Sequence, residues 1–140
     1  MANPSASGYK PKYFLAAFGS AHSAAHPVEG GHYPHLVGYV SSQGVNAGDI
    51  ILCYCAGGYP NHFREAPGIG IVTRIELNPN EEIIHYWYLP ISHAIPLEIL
   101  KLDIPELKDN TNFGFKGNWL RSLNKSSFKA ALEYTAIDWP

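Results

Sequence analysis

A chain of 140 residues, 46% hydrophobic and 16% charged, holds one domain with a real core and leaves little room for a second. Its formal charge of −2, with no basic run, excludes a protein that draws most of its affinity from duplex phosphates. No apolar stretch has the length of a membrane span or of a signal-peptide core, so no membrane partner is expected.

"MANPSASGYKPK" is small, polar and aperiodic, and residues 1–11 read as a disordered tail ahead of a single domain at 12–140. "KYFLAAF" (12–18) reads as a first strand buried on both faces. It runs into "GSAHSAAHPVEGGHYPH" (19–35), whose small residues, Gly, Pro and four His have loop composition. "LVGYVSSQ" (36–43) allows one or two helical turns, and "NAGD" (46–49) is a turn into the strand "IILCYC" (50–55). After a loop at 56–67, "GIGIVTRIEL" (68–77) and "IIHYWYL" (83–89) flank the turn "NPNEE" and read as an antiparallel hairpin.

"IPLEILKLDIPEL" (95–107) fits a helical turn or short strands, because its prolines interrupt either pattern. "DNTNFGFKGN" (109–118) is a second glycine-containing loop, followed by "WLRSL". In "NKSSFKAALEYT" (124–135), Phe128, Ala131 and Leu132 share one face of a short helix, with an upstream Ser or Asn as cap. The fold class is therefore mainly β with short helices (α+β), and a small β-barrel is the economical closure of such a sheet.

Cys53 and Cys55 stand two apart in a strand, on one face, too close in sequence for an easy disulfide. That suits a reducing, cytoplasmic setting. Within a run of Ile, Leu and Tyr a thiol is an inert packing group, although Cys55, beside the glycine loop, is placed to face a cavity. The carboxylates lie unpaired at turns and strand ends, and no glycine cluster opens a helix as a phosphate loop does. No catalytic residue is therefore assigned.

His22, His26, His32 and His35 are four imidazoles within fourteen positions, a composition suited to a transition metal. Pro27 and the glycine pair after it break the helix that would put His22 and His26 on one face, and no metal-ligand motif accompanies them. The expectation is no metal and no cofactor.

The remaining chemistry suits recognition. Tyr54, Tyr59, His62 and Arg64 flank the first glycine loop; Phe113, Phe115, Lys116, Asn118, Trp119 and Arg121 surround the second. Aromatic faces stack on a base, while Asn reads its edge and Arg or Lys holds a phosphate. For Tyr54 and Trp119 core packing competes evenly with that role, and Arg64 and Lys116 compete with being solvated loop charges.

In order, "GDIILCYC", "EAPGIGIVTRIEL", an aromatic strand, "IPLEIL" and "FKGNWLRSLNKSSFKAALE" resemble the EVE domain of the PUA-like superfamily. The likeness covers residues 48–134 and the first strand at 12–18; its motifs are short, and their order carries it. It implies a small PUA-like β-barrel with a pocket for a single base, often modified, in DNA or RNA. By position, Gly19, Ser20, Tyr54 and the loop after Tyr54, including Cys55, would line that pocket, and Arg121 would sit near its mouth. The chain departs from the family between Ser20 and Asn46, where "HPVEGGHYPHLVGYV" replaces a Trp-Asp-Gly-Val-Arg-Asn-like segment, leaving the ligand's identity open.

The resulting expectation is a non-catalytic module that holds a modified base of nucleic acid. Tyr54 and Trp119 form its walls, Ser20, His22 and Asn118 read the edge, and Arg64, Lys116 and Arg121 contact phosphate. A partner protein would act as effector. The first alternative is a module for a free nucleotide or nucleotide-like ligand, which the mildly acidic charge favours. The second is a metal-dependent hydrolase built on the loop from His22 to His35.

Overall fold

The computed structural model describes residues 10–19, 26–35, 37–56, 59–62, 64–104, 120–137 and 139. Residues 1–9 of the expected tail lie outside the described residues, as do the second glycine loop and residues 20–25 of the loop after the first strand.

The strands are β1 (Tyr13–Phe18), β2 (His32–His35), β3 (Ile50–Cys55), β4 (Glu65–Leu77), β5 (Glu82–Pro96) and β6 (Leu120–Leu123). They form one sheet in the order β2-β5-β4-β3-β1-β6. β1 and β3 are parallel neighbours, and every other pairing is antiparallel. The sheet is a curled half-barrel. Among the described residues β2 and β6 each pair on one side, so the small β-barrel expected from sequence is met as far as a half-barrel. Bulges between Ala66 and Gly68 and between Val72 and Arg74 bend the long β4–β5 hairpin and supply local curl.

β1 and β3 are buried along their whole length because both sheet faces are covered. Their side chains alternate between two cores. Tyr13, Leu15 and Ala17 join Ile50, Leu52 and Tyr54 on one face; Phe14, Ala16 and Phe18 join Ile51, Cys53 and Cys55 on the other. Helices α2 (Leu97–Asp103) and α3 (Lys125–Glu133) cover the first face with Leu100, Phe128, Ala131 and Leu132. The second face is covered by Val28, Tyr33, Val40 and Val45, from the long crossover that the parallel pair requires.

That crossover is where sequence and structure differ most. Residues 19–35 read as loop, yet Val28–Gly30 forms a 3-10 turn and His32–His35 pairs with β5. Tyr33 drives the pairing: its ring is fully buried against Phe18, 4.8 Å between centroids. Pro34 is tolerated because β2 is an edge strand. The open choice at 95–107 resolves at Pro96, which ends β5 and serves as N-cap of α2. Tyr39–Ser42 forms the expected short helix, α1. No helix among the described residues is long and apolar enough to cross a membrane.

Candidate functional site at the end of the parallel pair

Parallel neighbours send the chain out at the same end of the sheet, and strand ends of this kind commonly carry ligand sites. Here Phe18 lies opposite Cys55, and the Ala56 N–H donates to the Phe18 carbonyl at 2.9 Å. Gly19 and Ala56 therefore leave β1 and β3 side by side, and the loops expected to bind ligand start from one place.

On the second-core face this end is lined by tyrosines. The Tyr59 N–H donates to the Ala56 carbonyl at 3.0 Å, a turn that folds the ring back onto the core. Its hydroxyl accepts the Val28 N–H at 3.0 Å, while the Tyr86 hydroxyl donates to the Val28 carbonyl. The Tyr86 N–H donates to Gly31 at 3.0 Å. Gly31 has φ 79°, and a Cβ there would meet the Tyr86 carbonyl oxygen at 2.7 Å, so only glycine lets the turn approach this closely. Tyr88, two residues on and half-buried, lays its ring where a Gly68 Cβ would sit, 2.5 Å from the nearest ring atom.

Burial raises the Tyr88 phenol above its ordinary range, and the Cys53, Cys55, Glu29 and Tyr59 groups push the same way. The exposed Glu29 carboxylate pushes Cys55, Tyr59, Tyr86 and Tyr88 in the same direction, so its charge reaches this cluster. A half-exposed aromatic ring is suited to stacking a flat ligand, and a carboxylate whose charge reaches it can accept a hydrogen bond from that ligand's edge.

Tyr54 and Cys55 are adjacent in sequence and fall on opposite faces. Cys55 joins the tyrosine cluster, where burial first, then Glu65 and Glu29, push its thiol up to about 12. Tyr54 is 3% exposed within the first core, its phenol pushed to about 12 by burial and only partly relieved by the Arg64 guanidinium. The core-packing reading of Tyr54 is thus the one its burial favours. Arg64 is exposed, at φ 54°, and its carbonyl accepts the Leu97 N–H at 3.0 Å, tying the β3–β4 loop to the start of α2. His62, also left-handed at φ 59°, lies 3.0 Å from Glu65 through Nδ1. Arg121 stands opposite Leu15, on the first-core face and back from the strand end.

The expected set therefore divides. Gly19 and Cys55 lie together, Tyr54 and Arg64 form a second group across the sheet, and Arg121 is apart. Ser20, His22, Lys116, Asn118 and Trp119 lie outside the described residues. Sequence reasoning missed Tyr88 and Glu29. For Tyr88 a signal existed: "YWY" lies across the hairpin from a strand containing "GIG", and the Tyr86 and Tyr88 rings pack diagonally over Gly70 and Gly68. Glu29 carries no such mark.

Of the histidines, His32 meets His85 edge-on at 4.9 Å, and His85 Nε2 lies 2.7 Å from Glu76. No group of three or more metal-ligating side chains comes together among the described residues.

No protein-family model matches the chain. No curated protein matches it either. Solved structures share its fold. The NMR structure of Rpa0253 from Rhodopseudomonas palustris is 13% identical with a TM-score of 0.62, covering 89% of this chain and 93% of that one. Protein Atu2648 from Agrobacterium tumefaciens, a crystal structure, is 10% identical with a TM-score of 0.66, over 92% and 96%. A hypothetical protein from Leishmania major is 13% identical with a TM-score of 0.59, over 91% and 96%.

Proposed function

We propose that this chain is a non-catalytic module of PUA-like type that holds a single flat base, modified in its natural target, at the shared end of β1 and β3. The observation that carries the reading is the convergence there of Gly19, Ala56 and the tyrosine cluster, within reach of the Glu29 charge. In this reading Tyr88 replaces Tyr54 as the stacking surface, because Tyr54 is sealed in the first core. Glu29 accepts from the base edge, and Arg64, across the sheet, contacts the strand's phosphate. The resemblance to EVE domains in motif order supports it independently. A reader of this kind works through a partner effector protein, and the free, buried cysteines suit a reducing cytoplasm.

The test is a titration of intrinsic tryptophan fluorescence with oligonucleotides carrying unmodified or modified bases, and with the matching mononucleotides. Preference for a modified oligonucleotide, lost at least tenfold in Tyr88→Ala, is the expected result, since stacking is worth about 1–3 kcal/mol per base. Equal, salt-insensitive binding of a mononucleotide would favour the free-nucleotide reading, which the formal charge of −2 supports. No response to any nucleic-acid ligand, with metal found bound, would favour the hydrolase built on the histidine loop.

A further inference from the structure

At the opposite end of β1 from Gly19 the surface opens into a groove of about 710 Å³. Three separate pieces of chain form it: the entry to β1 with Lys10 and Lys12, Gln43 at the end of α1, and the exit of β6 into α3 with Leu123, Asn124 and Lys125. The register explains the meeting. Tyr13 pairs with Leu123, so the residues just before β1 lie beside those just after β6, and lysines remote in sequence are brought around one space.

The groove's charge is one-sided. Among the described residues its lining holds three ammonium groups and no carboxylate. An acidic neighbour, Asp49, is fully buried and also serves the backbone. Its Oδ1 accepts the Lys12 N–H at 3.0 Å, its Oδ2 accepts the Asn46 N–H at 2.8 Å, and Lys12 Nζ stands 3.3 Å from Oδ2. Asp49 therefore offsets Lys12, while Lys10 and Lys125, both exposed, face solvent across the groove. In a chain of formal charge −2 this concentrates positive potential where the average composition hides it. Tyr13 and Leu123, which also line it, are buried in the first core.

We propose that this groove is a phosphate site, with its lysine ammonium groups taking phosphate oxygens. Ammonium groups on flexible stems approach a tetrahedral, multiply oxygenated anion from several sides and need no bidentate geometry. The same chemistry is offered by a phosphodiester strand and by a small phosphomonoester. The site does not depend on base binding at the other end of β1.

The test is amide NMR of the whole chain, titrated with inorganic phosphate and with an abasic tetranucleotide, against sodium chloride at matched ionic strength. The abasic probe has no base to stack. The proposal expects saturable shifts at Gln43, Ser122, Leu123 and Lys125, with Gly19 and Ala56 unmoved. Lys10→Gln with Lys125→Gln should weaken binding at least fivefold and lower the slope of log K against log salt by about 0.7 for each lysine removed. Tighter binding of the tetranucleotide identifies a strand as ligand, and equal binding of phosphate identifies a monoester; either supports the site. Groove amides that stay still, or that move equally with chloride, overturn it. So does a doubly substituted protein that binds unchanged. Should that variant misfold, the unsubstituted protein's own titration decides. Failure of the base reading would appear elsewhere, as silence at Gly19 and Ala56 when the tetranucleotide carries bases.

Discussion

The hydroxyls of Tyr59 and Tyr86 meet at one residue: Tyr59 accepts the N–H of Val28 and Tyr86 donates to its carbonyl. One tyrosine follows β3 and the other lies within β5, so the clamp fastens the crossover turn, and Glu29 with it, to two strands of the sheet.

Tyr59→Phe should cost about 1–3 kcal/mol, because the Val28 N–H is buried and its acceptor would be gone. Tyr86→Phe should cost a similar amount through the carbonyl. Since both bonds hold the same residue, the double variant should lose less than the sum. Urea denaturation of the four proteins measures this, and strict additivity would show that the clamp does not act as a unit.

Acid should weaken the protein through Glu82. Its carboxylate accepts the N–H groups of Val40 at 3.0 Å and Ser41 at 2.9 Å, and the Ser41 hydroxyl at 3.0 Å. Those bonds, led by the Ser41 N–H, hold its folded pKa below the ordinary glutamate value. Its contribution is therefore complete above the unfolded pKa, about 4.3, and is lost as pH falls through the lower folded value. Glu76, held down first by Asn78 and then by His85, adds in the same direction. The melting temperature should fall between about pH 5 and pH 3, and Glu82→Gln should be less stable at neutrality with a flatter acid limb. An unaltered acid limb in that variant would remove Glu82 from the explanation.

Much of this arrangement was legible in the sequence, for reasons that particular residues make plain. "KYFLAAF" and "IILCYC" announce strands because both faces of each are covered, and the β4–β5 hairpin follows from two apolar runs around Asn78–Glu81. β2 was hidden, since a four-residue edge strand containing Pro34 depends on Tyr33 reaching Phe18, a tertiary contact. The same limit split the site. Alternation alone puts Tyr54 and Cys55 on opposite faces, and only the hairpin register shows that Tyr88, not Tyr54, keeps a partly open ring.

Gly70 tests that register. A Cβ there would lie 2.6 Å from the Tyr86 ring and 2.8 Å from Ile51, both buried, so Gly70→Ala should cost about 1–3 kcal/mol through overpacking. Gly38 is the contrast: a Cβ would meet nothing within 4 Å, and its φ of +85° leaves only backbone strain of about 1–2 kcal/mol. If chemical denaturation found Gly70→Ala neutral, the packing of Tyr86 over β4 would be wrong.

The thiols should be silent in the native protein. Burial raises Cys53 well above its ordinary value and brings Cys55 to about 12, so at pH 8 neither carries appreciable thiolate. A thiol-reactive chromophore should count no cysteine in buffer and both in denaturant. Rapid native labelling of Cys55 would mean that the strand end opens to solvent far more than its burial implies.

The same strand end gives the sharpest comparison, because Tyr88 and Tyr54 differ in exposure and lie on opposite faces. If a base stacks on the tyrosine cluster, Tyr88→Ala should reduce its affinity at least tenfold with a small loss of stability, for the ring is half-exposed. Tyr54→Phe should leave affinity within twofold, since it keeps the buried ring and alters only a phenol on the first-core face. Titration and thermal melting of both variants separate the two effects. Loss of binding in Tyr54→Phe with retention in Tyr88→Ala would move the site to the first-core face, around Arg64 and Glu98, and return Tyr54 to the role its sequence position implies.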